Sequence, residues 1–182
     1  MKSFRERFLG NPRVLVGLAW LVFVLILALL ANILAPTDPF AIVGQPFQPP
    51  GGNFVLGTDS LGRDVLAGLI HGARTTLLVA VLSTLAAVAF GTLVGAVAGY
   101  YGGIIDDALM RMTEFFQTIP SFLFAIVLIA ILSPSATNLV IAIAVVSWPP
   151  IARIVRGEVL SLKAREFVQA AVIAGQRDSA IL

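Results

Sequence analysis

Charged side chains are absent from, or confined to one end of, four long apolar blocks. Residues 14–34 run for 21 positions without one. As a helix that stretch is about 31 Å long, enough to cross the hydrocarbon core of a bilayer. Residues 77–98 form a second block, and 104–132 and 138–156 a third and fourth. The apolar part of the third, residues 115–132, is 18 residues long, about 27 Å of helix. The pattern predicts an all-α membrane protein with four transmembrane helices, because helices satisfy their own backbone groups in lipid. Residues 1–13 are predicted to be a basic tail. Residues 35–76 are rich in Pro and Gly (Pro36, Pro39, Pro46, Pro49, Pro50, Gly51, Gly52) and read as an external loop. Its second half predicts a surface helix with the stripe Val65, Leu66, Leu69 and Ile70, capped by Thr58 or Asp59. That helix is expected to lie along the membrane before the chain turns inward.

Small residues and breakers refine these blocks. Gly91, Gly95 and Gly99 recur every four residues, with Ala87 on the same row. Such spacing predicts a face on which another helix docks closely, although glycine is common in membrane helices for other reasons. Tyr100–Gly103 predicts a tight turn, followed by ion pairs Asp107–Arg111 and Arg111–Glu114 at the membrane boundary. Pro120 predicts a kink in the third span. Pro149 and Pro150 interrupt the fourth, leaving carbonyls that need partners. A translocation pathway and a purely structural kink both fit that pair.

The last stretch, residues 160–182, differs in kind. Lys163, Arg165, Glu166 and Arg177 alternate with Phe167, Val168, Ile173 and Leu182. Ser161 is the expected N-cap of a helix over 162–174, and Gly175 its left-handed end. Ala170 and Ala171 leave one face thin enough for close seating against a partner. The plainer alternative is a short helix at the membrane surface.

Composition agrees with a polytopic membrane protein. The chain is 58% hydrophobic and 12% charged, against about 25% charged in soluble domains. The absence of cysteine excludes disulfides, thiolate chemistry and cysteine metal sites. His71, the sole histidine, has no ligand-type neighbours at useful spacing. No phosphate-binding GxxxxGK loop and no nucleophile–base motif occur. The sequence therefore assigns no catalytic, cofactor-binding or metal residues, and no nucleic-acid partner. The first apolar block is too long for the core of a cleaved signal peptide. With the N-terminus inside, ten of the twelve Lys and Arg fall on inner segments, and only Arg63 and Arg74 fall outside. This bias places the N-terminus and residues 158–182 in the cytoplasm.

The segments GTDSLGRDVLAGLIHGARTTL, GYYGGIIDDALMRMTE, IPSFLFAI and WPPIARIVRGEVLSLKAREFVQAA resemble, in order, the inner-membrane permeases of ABC importers for dipeptides, oligopeptides and nickel. The likeness is to the second permease type and covers residues 14–182. It implies the type I importer permease fold, with four helices of an expected six present and the chain truncated within the coupling segment. It implies peptide transport across a bacterial inner membrane. The implied partners are a second permease, two cytoplasmic ATP-binding subunits and a periplasmic or lipoprotein substrate-binding protein. ATP hydrolysis would belong to the partners. The family's cytoplasmic coupling pattern begins E-A-A, then G four residues on; Gln169, Ala170, Ala171 and Gly175 take these positions. Gln169 replaces the usual glutamate, and Glu166, three residues earlier, is the candidate to supply that charge. With Phe167 as an apolar anchor, these six residues are the expected seat on the ATPase. Pro120, Pro149 and Pro150 are the expected bending points. Three rivals stand beside this reading: a nickel importer of the same family, an ion-driven secondary transporter, and a non-transporting fragment that recruits a partner. The secondary transporter would place ionisable residues near the midplane, and the apolar part of each span has none.

Overall fold

A computed structural model describes residues 11–176, apart from the side chains of Ala171 and Val172. Seven helices lie within that range: α1 Pro12–Leu29, α2 Ala31–Leu34, α3 Val65–Tyr101, α4 Gly103–Thr118, α5 Ser121–Leu132, α6 Ala136–Lys163 and α7 Glu166–Ile173. Among the described residues the only β structure is two isolated bridges, Gly51–Phe54 and Thr58–Asp64. α1, α3 and α6 are long and apolar enough to cross a membrane, and α4 with α5 adds a fourth if the bent pair is one span. The chain divides into two compact units, residues 1–78 and 79–182.

In the first unit, α1 starts where Pro12 needs no N–H partner and the Asn11 side chain accepts from the Arg13 N–H at 3.1 Å. Ala31 and Ala35 pack against Ala67 and Ile70 at the start of α3. Alanine methyls permit that approach, and polar contacts fasten it. His71 Nε2 is 2.9 Å from the Ala35 carbonyl oxygen, and Arg74 donates to Asn32 Oδ1 at 3.0 Å.

The loop between α2 and α3 is knotted by the segment GTDSLGRD. Buried Thr58 accepts from the Gln48 N–H at 2.9 Å and donates to the Gln45 carbonyl at 2.6 Å. Asp59 Oδ1 accepts from the N–H groups of Leu61 and Arg63 at 2.8 and 2.9 Å. Gly57 and Gly62 both have φ of +76°, and a Cβ on either would lie within 2.3 Å of a loop carbonyl oxygen. Only glycine meets both demands. This knot corrects the expected cap. Thr58 and Asp59 are consumed inside the loop, so Asp64 caps α3 instead, its carboxylate accepting from the Leu66 N–H at 2.9 Å.

α3 also departs from expectation. The surface helix and second span are one helix of 37 residues, about 55 Å long. No Gly or Pro lies between Ala73 and Leu78 to end it. The Thr75 hydroxyl donates back to the His71 carbonyl, so the polar join is satisfied within the helix.

In the second unit, the part of α3 from Val79 onward packs against α6, with Leu109, Met112 and Phe116 of α4 beside that contact, and α5 packs against α6. The third block is not one kinked helix. Ile119 is extended (φ −90°, ψ 131°) before Pro120, and α4 and α5 meet at 82°. The proline ring disfavours helical geometry in the residue before it, and that makes the break. α6 is capped by Ser135, whose hydroxyl accepts from the Asn138 N–H at 3.1 Å, and runs from Ala136 through Pro149 and Pro150 to Lys163. The expected interruption is thus confined to hydrogen bonding. Neither proline can donate, so the carbonyls of Val145 and Val146 lose their helical partners while the helix continues.

Ser161 likewise lies inside α6 rather than capping a new helix. The break falls at Ala164–Arg165, where the Arg165 N–H returns to the Leu162 carbonyl and the Arg165 carbonyl accepts from Val168 and Gln169. α7 follows, and Gly175 has φ +74°.

Candidate functional site

The end of the second unit that carries α7 is built from three contacts, each set by residue type. The first is a backbone ladder. The carbonyl oxygens of Trp148, Ala152 and Arg156 on α6 lie against Gly91, Gly95 and Gly99 on α3. A Cβ on those glycines would sit 2.8, 2.3 and 2.9 Å from the respective oxygens. Both rows repeat every four residues, so the two helices mesh along more than two turns. In lipid this van der Waals approach replaces the hydrophobic effect as the force that joins helices.

The second contact is an ion pair. Arg156 Nε and Nη2 donate to the two carboxylate oxygens of Asp106, each at 2.5 Å. Asp106 is buried and the Arg156 side chain is about one-third exposed. The fork fixes direction as well as distance. The third contact closes the end: Lys163 Nζ donates to the Tyr100 carbonyl at 2.5 Å and lies 5.4 Å from the centroid of its ring.

Behind these contacts sits an aromatic cluster. Trp148 meets Phe90 and Phe116 edge-on, with centroids 5.0 and 5.3 Å apart. These rings, with Met112, Ala86, Ala144 and Val145, line an apolar groove of about 340 Å³. Pro149 is fully buried next to Trp148, whereas Pro120 and Pro150 are exposed.

α7 projects from this end with little packed over it. Phe167 is 65% exposed. Glu166, Gln169, Ala170 and Gly175 are exposed as well. The Gln169 amide donates to the Ala164 carbonyl at 3.4 Å, so it turns back to the break between α6 and α7. The side chain of Ala171 and residues 177–182 lie outside the described residues. Six predicted coupling residues therefore share one short segment. Gly91, Gly95 and Gly99 lie on α3, Pro149 and Pro150 on α6, and Pro120 at the break between α4 and α5.

Sequence reasoning missed the Asp106–Arg156 pair. Of the two pairs it did expect, Arg111–Glu114 is present at 3.2 Å, whereas among the described residues no salt bridge joins exposed Asp107 to Arg111. The signal was present. Asp106, Leu109, Thr113 and Phe116 fall on one helical face, and a charge on an apolar stripe needs a partner. Thr113 on that face is fully buried and donates to the Met110 carbonyl at 2.7 Å.

The first unit has its own cleft, about 500 Å³, lined by Phe40, Asp59, Arg63, Asp64 and His71 among others. Arg63 lies over the Phe40 ring at 5.7 Å, and its buried Nε has no hydrogen-bond partner. Hydrogen bonds from the Arg63 backbone N–H, and then from Leu61, hold the Asp59 carboxyl below the usual carboxylate range, with the Arg63 charge adding to them. Among the described residues no three His, Cys, Asp or Glu side chains come together as metal ligands.

Two family models match this chain. Residues 91–182 match the binding-protein-dependent transport system inner membrane component, and residues 1–50 match the N-terminal transmembrane domain of oligopeptide transport permease C. A dipeptide transport system permease protein of Haemophilus influenzae is 36% identical over 182 residues, covering 96% of this chain and 62% of the relative. A di/tripeptide transport system permease protein of Pseudomonas aeruginosa is 37% identical, covering 96% and 60%. A glutathione transport system permease protein of Pectobacterium atrosepticum is 32% identical, covering 100% and 61%. The chain thus spans about three-fifths of the length of the curated relatives it matches.

Proposed function

From the premise that this chain belongs to the binding-protein-dependent transport system inner membrane component family, we propose that it is a permease subunit of an ATP-driven peptide importer. The names of the dipeptide and di/tripeptide permeases at 36% and 37% identity support the substrate class. Its partners on this reading are a second permease, two cytoplasmic ATP-binding subunits and an external substrate-binding protein. ATP is hydrolysed on the ATP-binding subunits, and this chain carries the motion into a bacterial inner membrane. The Lys and Arg bias supports an N-terminus and an α7 on the cytoplasmic side.

One observation carries the reading: α7 is a short, exposed helix joined directly to α6 and carrying an uncovered aromatic, Phe167. A lever seated in a groove of an ATPase needs such a shape. Glu166, Phe167, Gln169, Ala170 and Ala171 form the seat, and Gly175 sets the turn after it. Pro120, Pro149 and Pro150 are the bending points between inward- and outward-open states. The test places Cys at Ala170 and along the ATPase groove in the assembled transporter. Cross-linking that changes with nucleotide is expected. Failure to cross-link in any nucleotide state overturns the seating.

A further inference from the structure

We propose that the Asp106–Arg156 ion pair is the tie through which movement of α7 reaches α4, so that α4 and α6 move as one body during coupling. This rests on the coupling reading above and assigns the pair a positioning role within it.

Four observations converge on Arg156. It lies on α6, ten residues before α7 begins, and only Ala164 and Arg165 separate the two helices. Its backbone is held by α3, since its carbonyl oxygen occupies the space left by Gly99. Its side chain is held by α4, through both oxygens of Asp106 at 2.5 Å. Two turns further on, Lys163 fastens α6 to the end of α3 at the Tyr100 carbonyl. The last turns of α6 therefore cannot rotate without carrying the α3–α4 corner. α4 in turn meets α5 at the 82° bend before Ser121, which gives the motion a route onward.

Of the ion pairs among the described residues, this alone joins two helices; the other, Arg111–Glu114, lies within α4. Stability alone is a poor reason for such a pair, because well-packed apolar residues of similar volume serve as well or better. A two-pronged bond adds a fixed angle between the helices, which apolar packing transmits less strictly. That is the property a linkage needs.

The test measures ligand transported per ATP hydrolysed in the assembled, reconstituted transporter. Asp106→Asn should leave assembly and basal ATP hydrolysis in place and lower transport per ATP about tenfold, within the usual range of coupling between sites. The exchanged pair, Asp106→Arg with Arg156→Asp, should restore most of the loss. Arg156→Lys, which keeps the charge without the fork, should fall between. An unchanged ratio in Asp106→Asn, or an exchanged pair no better than the single variant, overturns the tie. If Asp106→Asn does not assemble, Cys at both positions gives a second route, because the chain has no cysteine of its own. A short bis-methanethiosulfonate, which joins the two thiols through reducible disulfides, should keep or restore transport. Transport that stops on joining and returns on reduction shows that the pair must part, and overturns the tie. Failure of the unaltered chain to assemble with ATP-binding subunits or to transport fells the coupling reading itself. A working transporter indifferent to Asp106→Asn fells the tie alone.

Discussion

The loop of the first unit and the helix interface of the second are both tight, and they are tight for opposite reasons. The loop has little apolar core. Its order comes from directed hydrogen bonds: Thr58 to Gln45 and Gln48, Asp59 to Leu61 and Arg63, and Gly62 to Val43 and Gly44. The α3–α6 interface uses almost no such bonds. There glycines admit carbonyl oxygens of the facing helix, and contact area does the rest. Where water competes for polar groups, order comes from satisfying many of them at once. Where lipid offers no hydrophobic gain, order comes from shape.

Breaking one regime should leave the other standing. Gly95→Leu drives a branched side chain into the Ala152 carbonyl, which a Cβ alone would already approach to 2.3 Å. A loss of about 3 kcal/mol is expected, read as a lower thermal midpoint in detergent. Amide protection in residues 43–64 should not change. Thr58→Val does the reverse: it removes the partner of the Gln48 N–H and of the Gln45 carbonyl, at about 2 kcal/mol. Hydrogen exchange should then rise in the loop and not along α3 and α6. Gly157→Ala sharpens the contrast within α6. A Cβ there meets nothing within 4 Å, so the change should stabilise the helix by about 0.5–1 kcal/mol, seen as a small rise in the thermal midpoint.

The smallest effect is local and set by pH. The Asp59 carboxyl is held below 3.8 in the folded loop by the Arg63 and Leu61 N–H groups. Its contribution is therefore complete above that unfolded value and fades as pH falls through the lower folded one. The protection of the Leu61 and Arg63 amides, taken against intrinsic exchange at each pH, should fall as the pH is lowered through that region. Asp59→Asn should remove that pH dependence of the protection.

What the sequence made legible follows the same divide. The apolar blocks could be counted, and the period of Gly91, Gly95 and Gly99 named a face, because helical spacing is local information. The partner of Asp106 could not be named, since it lies 50 residues away. The cap of α3 was misplaced for a related reason. Thr58 and Asp59 have the right chemistry for a cap, but residues 45 and 48 had already claimed Thr58 from across the loop. The bend at Pro120 was foreseen as a kink and not as two helices, because the angle depends on what α4 and α5 each pack against.

The four-residue repeat on both sides of the α3–α6 contact has a mechanical result. If α6 slid by one or two residues, carbonyls would leave their notches and side chains would strike bare backbone. A slide of a whole turn would bring notch and oxygen together again, with Gly95 facing Trp148. Translation along this seam is therefore quantised like the teeth of a rack, in steps of about 6 Å. Any gentler stroke that this pair of helices delivers must be a swing or a roll, never a glide.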